Sequence, residues 1–184
     1  MRQYFSALKK APRKQKIKCI FWFFLAVLFY LFVICMFSAQ NGEESGFLSH
    51  EIAEALAGFI CSIRSDNSLS DLLTLTGYFE HPVRKLAHFT EYGILGSFFA
   101  GSFLPIIKRI REGNGGSSCR LYRKCILIVF VLAAADEFHQ YFVPDRYASI
   151  WDVLLDTLGS VIYVYILYLI FDRKNKKQRS KKRK

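Results

Sequence analysis

A run of apolar residues from position 19 to 37 contains no charge, no glycine and no proline. As a helix it would be about 28 Å long, close to the roughly 30 Å of a bilayer's hydrocarbon core. A cleavable signal peptide carries a shorter apolar run, about 7–15 residues, closed by a small-x-small site. The run here is longer and lacks a clear site, so the expected reading is a retained first transmembrane helix behind a basic arm, residues 1–18.

That reading also reconciles two properties of the composition. The 184 residues are 52% hydrophobic yet carry a formal net charge of +11, so the charge must be kept apart from the apolar segments. Disorder, a collagen-like repeat and a disulfide scaffold are excluded by the apolar content, by only 11 Gly and 4 Pro, and by five scattered Cys.

Three further spans are expected at about 82–104, 124–142 and 152–171, each with polar residues intruding at one end. Lys and Arg collect in short cytoplasmic segments, and this sets the orientation. The arm before the first span has seven basic residues and no acid, residues 105–123 have five and one, and the tail 172–184 has nine and one. Residues 38–81 have one basic residue and seven acids. Four spans with both termini cytoplasmic satisfy this distribution, which gives a basic arm, a transmembrane domain over 19–171 and a basic tail. The tail's lysines are explained by topology and attraction to anionic lipid, so nucleic acid is not an expected partner.

Only Cys61 falls in the outer loop, which leaves no exported disulfide pair within one chain. In that loop Ile52, Ala55, Leu56, Phe59, Ile60 and Ile63 recur at helical spacing, predicting an amphipathic helix over 49–63 capped by Ser49. Such a helix lies in the membrane interface or covers the outer ends of the spans. A polar turn over 66–70 and a second short helix over 71–79 are expected next. Pro82 then opens the second span, at a position that tolerates proline.

The polar residues inside the spans fall on one side of the bilayer. Arg84, Lys85, His88 and Glu91 occupy the outer half of the second span, and Asp136, Glu137, His139 and Gln140 that of the third. Asp152 and Asp156 begin the fourth, Ser38 and Gln40 end the first, and Asp145 and Arg146 lie in the short link. A charge facing lipid at such depth costs several kcal/mol, so these groups must face the bundle interior, pair or neutralise. Spacing puts Arg84, His88 and Glu91 on one face, and pairs Asp136 with Gln140 and Asp152 with Asp156 at i and i+4.

Four readings of this cluster compete. A structural network would pair Arg84, Lys85 and Arg146 with the acids. A metal site would use His88, Glu91, Asp136 and His139, without a tight motif such as His-Glu-x-x-His. Acid/base catalysis would use Glu91 or Glu137 with His88 or His139, and a binding site would hold the head of an amphiphilic molecule. The number of titratable residues in one membrane half favours function over structure. Whether chemistry occurs, which cofactor or metal if any is used, and the oligomeric state stay open; the small-residue pairs Gly93 with Ser97 and Gly96 with Ala100 are a slight signal for a homo-oligomer.

Three blocks resemble the VanZ-like family of small bacterial membrane proteins. They are Phe37-Ser38-Ala39-Gln40 with Gly42 and Ser45; Arg84-Lys85-Leu86-Ala87-His88-Phe89-Thr90-Glu91-Tyr92 with Leu95-Gly96; and the stretch from Asp136 to Arg146 followed by Asp152-Val153 and Gly159. Asp156 stands where an Asn is common in that family, and Tyr163 where a small residue is common. The resemblance implies a multi-pass protein of the bacterial cytoplasmic membrane whose name-giving relative is associated with low-level resistance to teicoplanin, an acylated glycopeptide. The expected function is an outward polar pocket that binds or processes an amphiphilic cell-envelope molecule, with membrane lipids and an acylated glycopeptide or lipid-linked envelope molecule as partners. His88, Glu91, Asp136 and Glu137 are the expected proton-transfer groups. Arg84, Lys85, Gln140, Arg146, Asp152, Asp156, Ser38 and Gln40 are the expected substrate contacts. The alternative is a non-enzymatic scaffold whose polar network is structural.

Overall fold

The structure is a computed structural model that describes residues 8–38, 42–64, 68–114, 119–144 and 146–182. Among the described residues it is all helical, with no strand. Helix α1 (Arg13–Phe29) runs into a π-helical segment, Tyr30–Ile34, and a short helix α2 (Cys35–Ser38). Helices α3 (Gly42–Arg64), α4 (Leu69–Asn114), α5 (Cys119–Gln140) and α6 (Ile150–Lys182) follow. Among the described residues, three stretches are long and apolar enough to cross a membrane by length and composition: Arg13–Val33, Gly46–Arg64 and Ile150–Phe171. The stretches expected at 82–104 and 124–142 lie within α4 and α5.

Helix α4 is the spine. It touches α1, α3, α5 and α6. Its 46 residues would measure about 69 Å, more than twice the hydrocarbon thickness of a bilayer. The expected break before Pro82 is absent, because α4 runs unbroken through both Pro82 and Pro105. Proline removes one N–H and crowds the carbonyl four residues back, and a helix survives this where neighbouring elements hold it in line. Here α3 lies antiparallel along the segment before Pro82, with His50 Nδ1 3.3 Å from Glu80 Oε2.

The helix expected over 49–63 is present but longer. Ser49 does not cap it, since the helix begins at Gly42 and Ser49 Oγ donates to the Gly46 carbonyl at 2.8 Å. Of the predicted apolar stripe, Ile52, Leu56, Phe59 and Ile63 are exposed, which suits the interface alternative better than a cover packed on the spans, and the buried face is Ala53, Ala57 and Cys61. Small side chains let two helix backbones approach closely, and the bulky ones are left on the far face.

One buried core joins α1, α4, α5 and α6. Tyr92, Leu95, Phe99 and Phe103 of α4 meet Cys125, Val129 and Ala133 of α5, with Val153 and Val164 of α6 and Ala26 of α1. Rings lock α1 to α4, with Trp22 and Phe29 each set against Phe98 at centroid distances of 5.9 and 5.5 Å. Helices α4 and α6 come closest. A Cβ at Gly159 would strike the Phe89 carbonyl oxygen, and one at Gly93 would lie 2.6 Å from the Tyr163 ring. A Cβ at Gly96 would strike the Ser160 hydroxyl, so the small residues noted as an oligomer signal are used inside the chain. Outside this core, Phe21 and Phe24 of α1, Phe32 of the π-helical segment, and Leu158, Tyr165 and Ile170 of α6 are exposed. Large apolar side chains turned outward in this density suit a lipid-facing surface.

Candidate functional site

The buried stripes change chemistry along their length. On α5 the sequence Cys125, Val129, Ala133 continues into buried Asp136, Glu137 and Gln140. On α6 the buried positions are Val153, Asp156, Ser160 and Val164, with the acid and the serine one helical turn apart. On α4 the core residues Leu95 and Tyr92 give way, towards the N-terminus, to Glu91, His88, Lys85 and Arg84, all partly buried. The three polar ends coincide because α4 and α6 run side by side in the same direction, which their glycine contacts and the Lys85 to Asp152 ion pair both show.

Between them lies a cavity of about 340 Å³. Arg84, Lys85 and His88 of α4, Glu137 and Gln140 of α5, Arg146 of the link, and Asp152 and Asp156 of α6 line it. His81, Tyr147, Ser149 and Leu155 complete the wall. The volume is at the lower end of the roughly 300–1,000 Å³ typical of ligand sites.

Hydrogen bonds hold most of these groups in place. Lys85 Nζ donates to Asp152 Oδ1, tying α4 to α6. Gln140 bridges: its Nε2 donates to Asp136 Oδ2 at 3.0 Å, and its Oε1 accepts from Arg146 Nη1 at 3.2 Å. Glu137 Oε2 accepts the Ser149 backbone N–H at 2.8 Å, which joins the end of α5 to the start of α6. The link turns tightly between them through bonds from Tyr141, Phe142 and Val143 back to the last turn of α5. Burial, and then the neighbouring Arg84, push the Arg146 guanidinium below its ordinary pKa, while Asp136 and Glu137 oppose this.

Two groups stand apart from this bonding. Arg84 lines the cavity and forms no ion pair or hydrogen bond with the described residues. Asp156 is 2% exposed, yet its Oδ1 has no hydrogen-bond partner. Leaving a buried polar group unsatisfied costs about 1–3 kcal/mol, and more for a charged one.

The expected site residues therefore divide. Arg84, Lys85, His88, Glu137, Gln140, Arg146, Asp152 and Asp156 share the cavity. Glu91 is not part of the wall; its Oε2 lies 3.8 Å from His88 Nδ1, behind that lining residue. Asp136 likewise stands behind Gln140. His139 is on an exposed face. Gln40 and Asp145 lie outside the described residues, as does the side chain of Ser38. Among the described residues no three His, Cys, Asp or Glu side chains are placed to hold a metal ion. Sequence reasoning missed His81, Tyr147, Ser149 and Leu155. His81 sits one turn before Lys85, and helical spacing alone offers it, whereas Ser149 contributes a backbone N–H that no side-chain pattern reveals.

Chemically, the arrangement offers paired or bridged acids and cations around a guanidinium and a carboxyl oxygen that have no partner among the described residues. Planar guanidinium groups suit phosphate and carboxylate through forked, charge-assisted hydrogen bonds.

Comparison with known proteins adds one assignment. No curated protein and no solved structure matches the chain. The family model described as VanZ/LLP1 matches residues 21–171, a stretch that contains the whole cavity wall. On that match, which covers most of the chain, the protein belongs to the VanZ/LLP1 family.

Proposed function

We propose that this VanZ/LLP1 protein spans the bacterial cytoplasmic membrane four times, at about 19–37, 82–104, 124–142 and 152–171, with both termini cytoplasmic. The polar cavity then opens outward. It binds or processes the head group of an amphiphilic cell-envelope molecule whose chain lies along the exposed apolar helix faces, and through this it alters susceptibility to lipoglycopeptides such as teicoplanin. The observation that carries the reading is Arg84, a cation in the wall of a shielded cavity with no partner among the described residues. The charge asymmetry of the connecting segments supports the orientation.

In this reading Arg84 and Arg146 receive the anionic part of the head group, and Lys85 is held in position by Asp152. Glu137 and His88 carry any proton transfer. The test compares function with abundance. Arg84→Gln and Glu137→Gln should abolish the effect on teicoplanin susceptibility while the protein's level in the membrane is unchanged. Parallel loss of activity and abundance would reject the site.

A second reading, a non-enzymatic scaffold, is favoured by the bonds between helices: Lys85 to Asp152, Glu137 to Ser149, and the bridge from Asp136 through Gln140 to Arg146. It predicts that Lys85→Met lowers abundance and activity together, and that Arg84→Gln, which breaks no bond among the described residues, changes neither.

A further inference from the structure

The cavity's charges are arranged with an internal polarity that an anion alone does not satisfy. Three cations, Arg84, Lys85 and Arg146, and three carboxylates, Glu137, Asp152 and Asp156, line it. Lys85 and Asp152 satisfy one another, and Glu137 accepts the Ser149 N–H. Among the described residues, Arg84 forms no ion pair or hydrogen bond, and the buried Asp156 Oδ1 has no hydrogen-bond partner.

These two lie at different depths. Asp156 follows Asp152 by four residues on α6, so it stands about 6 Å further along the helix axis than the Lys85–Asp152 pair. Arg84 precedes Lys85 on α4, at the opposite edge of that pair. Asp156 is almost fully buried and Arg84 partly buried, and both line the cavity.

A purely anionic ligand seated on Arg84 would approach three carboxylates and leave Asp156 unsatisfied. A metal ion at Asp156 lacks the three side-chain ligands it needs among the described residues. A primary ammonium answers the deficit, since it carries a positive charge and three N–H donors for the Asp156 carboxyl group.

Resting on the proposed head-group site, we infer that the ligand is zwitterionic: a phosphate or carboxylate at Arg84 and a primary ammonium at Asp156. An aminoethyl phosphate has this chemistry, whether as a lipid head group or free in water. Neutral and purely anionic head groups are disfavoured, the first at Arg84 and the second at Asp156.

The test uses full-length protein in phosphatidylcholine nanodiscs, whose quaternary ammonium has no N–H to donate. Phosphatidylethanolamine and phosphatidylglycerol are titrated in and bound lipid is counted by native mass spectrometry. Soluble aminoethyl phosphate is then added as competitor. Wild-type protein should retain phosphatidylethanolamine about tenfold more strongly than phosphatidylglycerol, the ratio a charge-assisted hydrogen bond is worth. Asp156→Asn should remove that preference without weakening phosphatidylglycerol, and Arg84→Gln should weaken both. Displacement by aminoethyl phosphate supports the zwitterion and assigns it to a soluble source; a preference that survives the competitor supports it and assigns it to a lipid. Equal retention of the two lipids by wild-type protein, or a preference unchanged in Asp156→Asn, overturns the zwitterion while leaving an anion site intact. Indifference of every head group to Arg84→Gln rejects the site itself. The wild-type lipid series decides the inference even if Asp156→Asn fails to fold.

Discussion

The two ends of the α4, α5 and α6 bundle are built on the same buried stripes with opposite chemistry. At one end Phe99, Cys125, Val129 and Val164 close a dry core. At the other, the same helix faces present Lys85, Gln140, Glu137 and Asp156 around a cavity. The apolar end is held by shape and the polar end by directed bonds. Between them α4 and α6 approach closely enough that Gly93, Gly96 and Gly159 leave no room for a side chain. Close approach fixes the relative rotation of the two helices, and this rotation is what aims Lys85 at Asp152. A rigid apolar half is thus the support that keeps a polar half in register.

The comparison can be broken at its hinge. Gly159→Leu should have the largest effect, about 3 kcal/mol or more of lost stability, because the new side chain meets the Phe89 backbone and backbone does not yield. The thermal unfolding midpoint in detergent, read beside the size-exclusion profile, measures it; an unchanged midpoint would show that α4 and α6 are not so closely packed. Lys85→Met comes next, at about 2 kcal/mol, since it strands Asp152 while partial exposure moderates the loss. Adding Asp152→Leu should return part of that stability, and strictly additive losses in the double-mutant cycle would mean that the pair contributes nothing. Gln140→Leu should cost about 1–2 kcal/mol by removing the donor to Asp136 and the acceptor from Arg146. An effect within experimental error would show the bridge to be dispensable.

The smallest effect is expected away from both ends, on α3. Phe59 is 65% exposed, and Phe59→Ser should change detergent stability by no more than about 0.5 kcal/mol. Ala57, on the buried face of the same helix, offers the contrast. Ala57→Leu should be clearly destabilising in the same melt, and equal effects of the two changes would mean that α3 does not bury its small-residue face.

How far the sequence could be read is clearest in particular residues. The i and i+4 spacing of Asp136 and Gln140 was enough to put them in contact, because both partners lie on one helix. Glu91 and Asp156 show the opposite. Both are acids at comparable depth, yet only Asp156 faces the cavity, because its helix is rotated by contacts at Gly159 and Ser160 that have no local signature. The helix over 42–64 was legible with its apolar stripe, whereas the face it packs on its neighbour, Ala53, Ala57 and Cys61, was not. Hydrophobicity marks the stripe that avoids water, and close packing between helices selects small side chains instead. Pro82 misled for a related reason, since its local penalty is visible in sequence whereas the support from α3 is not.

The amino-acid sequence by itself determined that the chain is helical, that residues 19–37 form one charge-free apolar run, and that titratable residues gather at corresponding ends of three segments. Each of these follows from composition and period along a single helix. Only the tertiary structure decided that α4 and α6 lie in contact, that Arg84 and Asp156 line one cavity without a hydrogen-bond partner among the described residues, and that Glu91 is outside its wall. Helical period fixes where a side chain points relative to its own axis. Its partners depend on how two axes are rotated against each other, and that rotation is set by steric contacts between residues far apart in the chain.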